Sequence, residues 1–242
     1  MNTNIKLQFA FFWIGDDISI PSALVLSIRY IYGKEAYIYH LSDETTKYIE
    51  GTDETLRTRL PKEIMLARLK AYTILKSNNP TIFLDADSLI IGKINLPKFE
   101  AFKAFVIKRK EEKFIVNHSW PEYYPEFLNK KITAVMPIYF GFISTPNGGL
   151  FFEELLDYAK SLPHRFHRWY GDQISLAHIW QQNESDYLLL NQNEYLYIAK
   201  NALNRDQLIE LMNNDTKIIT FKGPESKIYI HETLKELVNE YN

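Results

Sequence analysis

The sequence predicts an α/β fold. Short apolar runs alternate with longer stretches of helical periodicity, turn signals fall between them throughout, and no repeat, low-complexity tract or Gly/Ser linker breaks the pattern. Residues 7–14 and 37–41 are rich in aromatic and β-branched side chains and read as strands. Between them, residues 21–32 carry Leu24, Ser27, Ile28 and Ile31 at helical spacing, so the chain opens as strand, crossover helix, strand. A second helix is expected from Pro61, a residue favoured at the first helical position, with Ile64, Ala67, Ala71, Ile74 and Leu75 on its apolar face and Asn78-Asn79-Pro80 as its stop. Residues 81–84 form a short apolar strand that runs into Asp85-Ala86-Asp87. Further strands are expected at 103–107, 138–143, 195–198 and 217–221, and helices near 150–160, 172–182 and 232–241.

Composition narrows the class of function. With 242 residues, 46% hydrophobic and 24% charged, the chain has material for one sizeable core, and a single domain over residues 1–242 is expected. Lys plus Arg (28) nearly balance Asp plus Glu (30), so net charge implies no attraction to nucleic acid or an anionic membrane. The absence of cysteine excludes disulfides, thiolate metal sites and cysteine nucleophiles, and suits a reducing compartment. The opening Met-Asn-Thr-Asn-Ile-Lys does not read as a signal peptide, and the apolar run at 9–15 is far shorter than the roughly 20 residues that span a bilayer. A cytoplasmic protein without a transmembrane segment is the expectation.

The most informative stretch is Ile82-Phe83-Leu84-Asp85-Ala86-Asp87-Ser88-Leu89-Ile90-Ile91, where two acids sit inside an apolar run. Buried charges need compensation. If the backbone stays extended, residues i and i+2 point to one side, so both carboxylates face one ligand. A divalent cation is the simplest shared partner, and oxygen ligation favours Mg²⁺ or Mn²⁺ completed by water and substrate phosphate. The position agrees, because ligands of open α/β sheets bind beyond the carboxyl ends of strands. The plainer alternative is that Asp85 and Asp87 cap a following turn or pair with surface lysines.

From here the chain resembles the GT-A glycosyltransferases, nearest to their glycogenin-like and lipopolysaccharide galactosyltransferase-like group. Phe12-Trp13-Ile14-Gly15 resembles the first-strand end that lines base and ribose. Met65-Leu66-Ala67-Arg68-Leu69-Lys70-Ala71-Tyr72 followed by Asp85-Ala86-Asp87 resembles the phosphate-contacting helix and DXD strand. Tyr139-Phe140-Gly141-Phe142-Ile143 with Gly148-Gly149-Leu150-Phe151-Phe152 resembles the elements that shape the acceptor side. Gly171-Asp172-Gln173 resembles an Asp-Gln pair near the reacting carbon, and the segment from Ile218 to Lys227 resembles a C-terminal closure over the diphosphate.

The resemblance implies a Rossmann-like GT-A domain whose mixed, mostly parallel sheet is flanked by helices, with residues 1–115 on the nucleotide-sugar side and 116–242 on the acceptor side. It implies transfer of a sugar from a nucleoside diphosphate sugar, UDP-linked by preference, to a glycan, lipid-linked or protein acceptor. Asp85 and Asp87 would hold Mn²⁺ or Mg²⁺. Trp13, Gly15, Arg68, Asp85, Gly223 and Lys227 would contact the donor, and Asp172 and Gln173 would sit at the catalytic face. The resemblance leans towards retention of configuration; in an inverting enzyme Asp172 would be the general base. On chain pattern alone, Asp172 reads equally as a helix N-cap.

Two departures stand out. Thr220 precedes Phe221 where those families place a histidine as third metal ligand, and Gly223 to Lys227 is one residue longer than their Gly-x-x-Lys spacing. His231 reads as a surface residue. The aromatic segments 118–125 and 164–170 offer platforms for sugar rings, though each ring is equally at home in a core. Segment 108–113 mixes charges and reads as a solvated turn. Two rivals remain. One is a haloacid-dehalogenase-like phosphohydrolase, which also uses Asp-x-Asp but fits Ser88-Leu89 and Leu176 poorly. The other is a nucleotide-sugar or carbohydrate-binding protein that keeps the fold without turnover.

Overall fold

The computed structural model describes residues 7–77, 79–99, 101–110 and 124–240. The first half runs β1 (Leu7–Phe12), α1 (Ser19–Tyr32), β2 (Ala36–Ser42), β3 (Glu54–Arg57), α2 (Ile64–Thr73), β4 (Thr81–Leu84) and β5 (Ser88–Ile90). The second half continues with β6 (Ala104–Lys108), α3 (Ile132–Val135), β7 (Ile138–Thr145), α4 (Gly148–Ser161), α5 (His164–Arg168) and α6 (Gly171–Gln182). It ends with β8 (Tyr187–Asn191), α7 (Gln192–Tyr195), β9 (Leu196–Ala199), α8 (Arg205–Asn213), β10 (Ile218–Phe221), α9 (Pro224–Lys227) and α10 (Ile230–Glu240).

Every strand and helix expected from the sequence is present, with shifted ends. α2 starts at Ile64 and not at Pro61, because Glu63 is extended (ψ 119°) and residues 61–63 lack the packing that would fix another turn. It also stops at Thr73, so Ile74 and Leu75 pack from beyond the helix; Asn78 of the expected stop lies outside the described residues. Not expected from the sequence are β3, β5, β8, α8 and the short helices α3, α5, α7 and α9. β3 and β5 are too short to show a period. α8 carries a signal that could have found it, a capping box in which the Asn204 side chain accepts from Gln207 N and the Gln207 side chain accepts from Asn204 N.

Seven strands form one sheet in the order β3-β2-β1-β4-β7-β6-β8. The β1–β2, β1–β4, β2–β3 and β6–β8 pairs are parallel, and β7 runs antiparallel to both β4 and β6. Along the central strands the side chains alternate between two cores, as the pleat requires. Phe9, Phe11, Ile82, Leu84, Phe105 and Ile107 belong to the core beneath α1, while Ala10, Phe12, Phe83, Ala104 and Val106 belong to the core shared with α2, α4 and α6. Burial on both faces explains the continuous apolar runs that announced these strands. In the second core Phe152 sits 4.6 Å from the ring centroids of both Tyr72 and Phe83, locking α2 and α4 to the sheet.

A smaller sheet, β5-β10-β9, lies beside the first. The chain leaves the large sheet at Leu84 and enters the small one at Ser88, so Asp85-Ala86-Asp87 is the passage between them. No helix among the described residues is long and apolar enough to cross a membrane.

One buried group makes this core sensitive to pH. His40, on β2, is fully buried, stacks on Phe11 at 5.2 Å and donates through Nε2 to the Trp13 carbonyl at 3.1 Å, while Nδ1 has no partner among the described residues. Burial lowers its pKa to about 4, which outweighs the raising effect of the Trp13 carbonyl. The unfolded chain takes up a proton near its ordinary value while the folded chain resists it, so stability falls as pH drops from about 6.5 towards 4. Up to roughly 3 kcal/mol is lost across that window. Urea denaturation across the range is expected to show this slope in the wild type and a flatter profile in His40→Gln; equal slopes would refute the assignment.

Candidate active site

The parallel strands β1 and β4 end side by side at the point where strand order reverses, which is where open α/β sheets leave a crevice. A cavity of about 670 Å³ opens there, a size typical of small-molecule sites. Phe12 at the end of β1 and Trp13 and Ile14 just beyond it form one wall, Met65 and Arg68 project from α2, and Tyr139, Phe140 and Gly141 come from β7. Trp169, Tyr170 and Gln173 close the side next to α6, and Lys222, Gly223 and Lys227 close the side next to β10.

The β7 contribution depends on an irregularity. Val106 pairs with Ile143, but its neighbour Ile107 pairs with Tyr139, so β7 bulges over 140–142. Bulges recur beside active sites because they re-aim side chains. Here the bulge carries Gly141, whose carbonyl accepts from Asp85 N at 3.2 Å. A Cβ at this glycine would stand 2.5 Å from Asp85 Oδ2, so only hydrogen fits.

Asp85 and Asp87 converge as expected, by a different route from the one expected. Residues 86 and 87 form a turn and not an extended strand. Pairing of β10 with β5 then brings Lys222 across from the acids, since Thr220 lies opposite Ser88 and Phe221 N donates to the Asp87 carbonyl at 2.9 Å. The Lys222 ammonium bridges Asp85 Oδ2 and Asp87 Oδ1, at 2.9 Å from the latter. Arg68 takes Asp85 Oδ1 at 2.7 Å, and Lys227 takes Asp87 Oδ2 at 2.9 Å. Each of the four carboxylate oxygens therefore faces a cation.

These pairings set the protonation states. Burial pushes the Asp85 carboxyl up, but the charges of Lys222 and Arg68 outweigh it and hold Asp85 well below the usual carboxylate range. Desolvation acts to lower Lys222, and the attraction of Asp85, Tyr139 and Asp87 overrides it, leaving the ammonium more basic than an ordinary lysine. Burial, with Asp85 and Asp87 nearby, pushes the Tyr139 phenol up to about 12 despite the opposing Lys222 charge. The Tyr139 hydroxyl donates to Thr220 Oγ1 at 3.2 Å, and Lys222 Nζ lies 5.3 Å from the Tyr139 ring centroid.

Asp172 is not the cap of α6; Tyr170, in left-handed conformation (φ 68°), holds that position. Asp172 lies inside the first turn, fully buried, ion-paired with Arg68 and accepting from Gln173 N at 2.7 Å. It does not line the cavity. Its carboxylate positions Arg68, which also packs 4.4 Å from the Phe140 ring centroid. Gln173 does reach the cavity, where its Oε1 accepts from Arg109 at 2.6 Å. Trp13 lines the cavity, with Nε1 donating to the Asp17 carbonyl at 2.9 Å. Gly15 is not on the wall; it makes a positive-φ turn (116°) whose N–H donates to Thr46 Oγ1 at 3.0 Å. Gly223 is on the wall at φ 89°, a backbone state that glycine adopts without strain.

Of the aromatic segments, Phe166 packs into a small core with Tyr124 and Phe127, whereas Trp169 is exposed and lines the cavity. Residues 118–123 lie outside the described residues, as do 111–113 of the charged segment, and His231 is exposed. Lys222 and Tyr139 fall within segments that the resemblance marked without a role of their own, and Arg109, expected in a solvated turn, instead lines the cavity, held by Gln173 and the Tyr139 ring.

No protein-family model and no curated protein matches the chain by sequence. Solved structures match it by shape. The galactosyltransferase LgtC, in complex with donor and acceptor sugar analogs, superposes with a TM-score of 0.58 at 11% identity, covering 96% of this chain and 95% of its own. The bifunctional glycosyltransferase WbbM superposes at 0.57 with 14% identity, covering 97% of this chain and 51% of that one. The glycosyltransferase GlyE of Streptococcus pneumoniae TIGR4 superposes at 0.57 with 13% identity, covering 98% of this chain and 63% of that one. The chain has the GT-A fold of glycosyltransferases, and nothing in this likeness favours the phosphohydrolase reading.

A Mn²⁺ or Mg²⁺ ion does not fit the donor set as it stands. The carboxylate oxygens that would ligate it are taken by ammonium and guanidinium groups, and Thr220 Oγ1 is turned to the Asp87 carbonyl at 3.5 Å and to Tyr139. Among the described residues no group of three or more His, Cys, Asp or Glu side chains converges to hold a metal.

Proposed function

We propose that the chain is a glycosyltransferase that takes a nucleoside diphosphate sugar, UDP-linked by preference, and transfers the sugar to a hydroxyl of a glycan, lipid-linked or protein acceptor. The observation that carries this reading is the set of cations Arg68, Lys222 and Lys227, fixed by Asp85, Asp87 and Asp172 at the strand-end cavity of a GT-A fold. Each lysine has three N–H donors and each arginine five, so all three keep donors beyond those their carboxylates use. A diphosphate is the ligand such a cluster suits, with the base and ribose beside Trp13 and Ile14 and the sugar towards Gln173.

In the reaction, the bond from the anomeric carbon to the β-phosphate oxygen breaks and its electron pair stays on the phosphate. The acceptor oxygen forms the new bond to that carbon and loses its proton. Charge grows on the leaving diphosphate, and fixed cations stabilise that charge at little reorganisation cost. The charges of Lys222 and Arg68 hold Asp85 below the usual carboxylate range, and Asp87 and Asp172 are ion-paired to Lys222, Lys227 and Arg68, so we assign the proton to the departing diphosphate, the course of a retaining enzyme. No metal ion enters this reaction, because Arg68, Lys222 and Lys227 engage the Asp85 and Asp87 oxygens that would ligate it.

A thermal-shift panel tests it, since a ligand that binds the native state alone raises stability by mass action. Some nucleoside diphosphate sugar is expected to raise the melting temperature, and free nucleoside diphosphate should appear on incubation with acceptor extracts. Stabilisation without turnover would favour the binding-protein reading. No stabilisation by any nucleoside diphosphate sugar would overturn both.

A further inference from the structure

Lys222 occupies the place where two convergent carboxylates would share a dication. It is held there from three sides, by Asp85 Oδ2, by Asp87 Oδ1 at 2.9 Å, and by the Tyr139 ring at 5.3 Å. The neighbouring strand offers no competing ligand, because Thr220 spends its hydroxyl on the Asp87 carbonyl and on Tyr139. Lys227 and Arg68 close the outer oxygens of the same acids. Two features thus coincide in one strand end: the hydroxyl of residue 220 is engaged by the Asp87 carbonyl and Tyr139, and residue 222 supplies a cation of its own.

We propose that Lys222 is the resident cation of this site, covalently built into the chain, and that donor binding and transfer proceed without Mg²⁺ or Mn²⁺. Asp85 and Asp87, with the Tyr139 phenol beside them, then serve to pin the ammonium on the cavity wall, where its positive charge faces the leaving diphosphate. As the glycosidic C–O bond breaks, the electron pair passes to the β-phosphate oxygen, and that oxygen hydrogen-bonds to Lys222. A lysine is a point charge on a flexible stem, and the two carboxylates and the tyrosine ring supply the rigidity that it lacks alone. The proposal rests on the transferase reading for its substrate, but its statement about the cation is testable without any substrate.

Two measurements decide it. The first is Mn²⁺ binding to the protein alone, read by electron paramagnetic resonance of free Mn²⁺ and by thermal shift. The wild type is expected to bind no Mn²⁺ at this site. Lys222→Met, which keeps the stem and frees Asp85 Oδ2 and Asp87 Oδ1, is expected to gain binding, and Lys222→Met/Asp87→Asn to lose it again. The second is release of nucleoside diphosphate from the stabilising donor, with EDTA or with Mn²⁺. The wild-type rate is expected to be unchanged by EDTA, and Lys222→Met in EDTA is expected to fall by roughly a hundredfold or more.

Tight Mn²⁺ binding by the wild type, or wild-type turnover abolished by EDTA and restored by Mn²⁺, would overturn the proposal while leaving the transferase reading intact. Absence of any donor binding or turnover, with the Mn²⁺ pattern as expected, would remove the transferase reading while upholding Lys222 as the occupant of the ion's place. Should Lys222→Met fail to fold, the wild-type Mn²⁺ and EDTA results decide the matter alone.

Discussion

Replacing Arg68 by methionine is expected to destabilise the chain by roughly 3–5 kcal/mol and to abolish sugar transfer, the largest single effect of any substitution at the site. The stability loss follows from Asp172. That carboxylate has no exposure, and the Arg68 guanidinium is its only charged partner among the described residues, so removing the arginine strands a buried charge. The activity loss follows from Asp85, which loses one of its two cationic contacts while the cavity loses a donor on the α2 wall. The pair is separable from the rest by a double-mutant cycle. Arg68→Met/Asp172→Leu is expected to recover most of the stability in urea denaturation, because the stranded charge is gone, but none of the turnover. A double variant as unstable as Arg68→Met would show that the buried pair is not the source of the loss.

The second large effect is expected from the smallest change, Gly141→Ala. The added methyl would sit 2.5 Å from both Asp85 Oδ2 and Tyr139 Cζ, inside any permitted contact. Neither neighbour can retreat freely, since Asp85 is held by Arg68 and Lys222 and Tyr139 is buried and bonded to Thr220. Overpacking of this kind costs about 1–3 kcal/mol in stability. The larger consequence is functional, because moving Asp85 moves Lys222 with it, and a displacement of about 1 Å in such a constellation can lower turnover by roughly a hundredfold. Donor-dependent release of nucleoside diphosphate, measured beside the unfolding midpoint, is the check. A variant with normal turnover would show that the Asp85–Lys222 contact is not needed.

The parts of this molecule that the sequence discloses are those in which local pattern and tertiary role coincide. Residues 81–84 are buried on both faces, so an apolar run was visible, and two acids within it stood out because nothing local could compensate them. The alternation of β1, α1 and β2 was visible for the same reason. Lys222 was not visible in this sense. A lysine beside a glycine after a strand looks like any solvated turn, and its position against Asp85 and Asp87 arises only from the antiparallel pairing of β10 with β5, two short strands distant in sequence. Asp172 misled in the opposite direction. At the start of a helix an aspartate reads as a cap, but Tyr170 in left-handed conformation takes the cap position and turns Asp172 inward to Arg68. The bulge that presents Tyr139 and Gly141 leaves no mark on composition either, since Tyr-Phe-Gly-Phe fits an ordinary strand.

The acid pair does meet lysines, as the plainer alternative held, but these lysines line a cavity instead of the open surface, and Arg68 joins them on Asp85. Electrostatic preorganisation is thereby retained with a different cation, and the burial of these charges is offset by mutual pairing. Arg109 extends the same cationic wall, 4.9 Å from the Tyr139 ring centroid and bonded to Gln173.

Whether Lys222 stands in for a metal ion at the diphosphate is read most directly from a crystal structure of the protein with a nucleoside diphosphate, prepared in EDTA. The diphosphate is expected in the cavity, with phosphate oxygens within hydrogen-bond reach of Lys222 and Lys227 and the nucleoside beside Trp13. A diphosphate bound elsewhere, or one that enters only with a dication standing where the Lys222 ammonium lies, would contradict it.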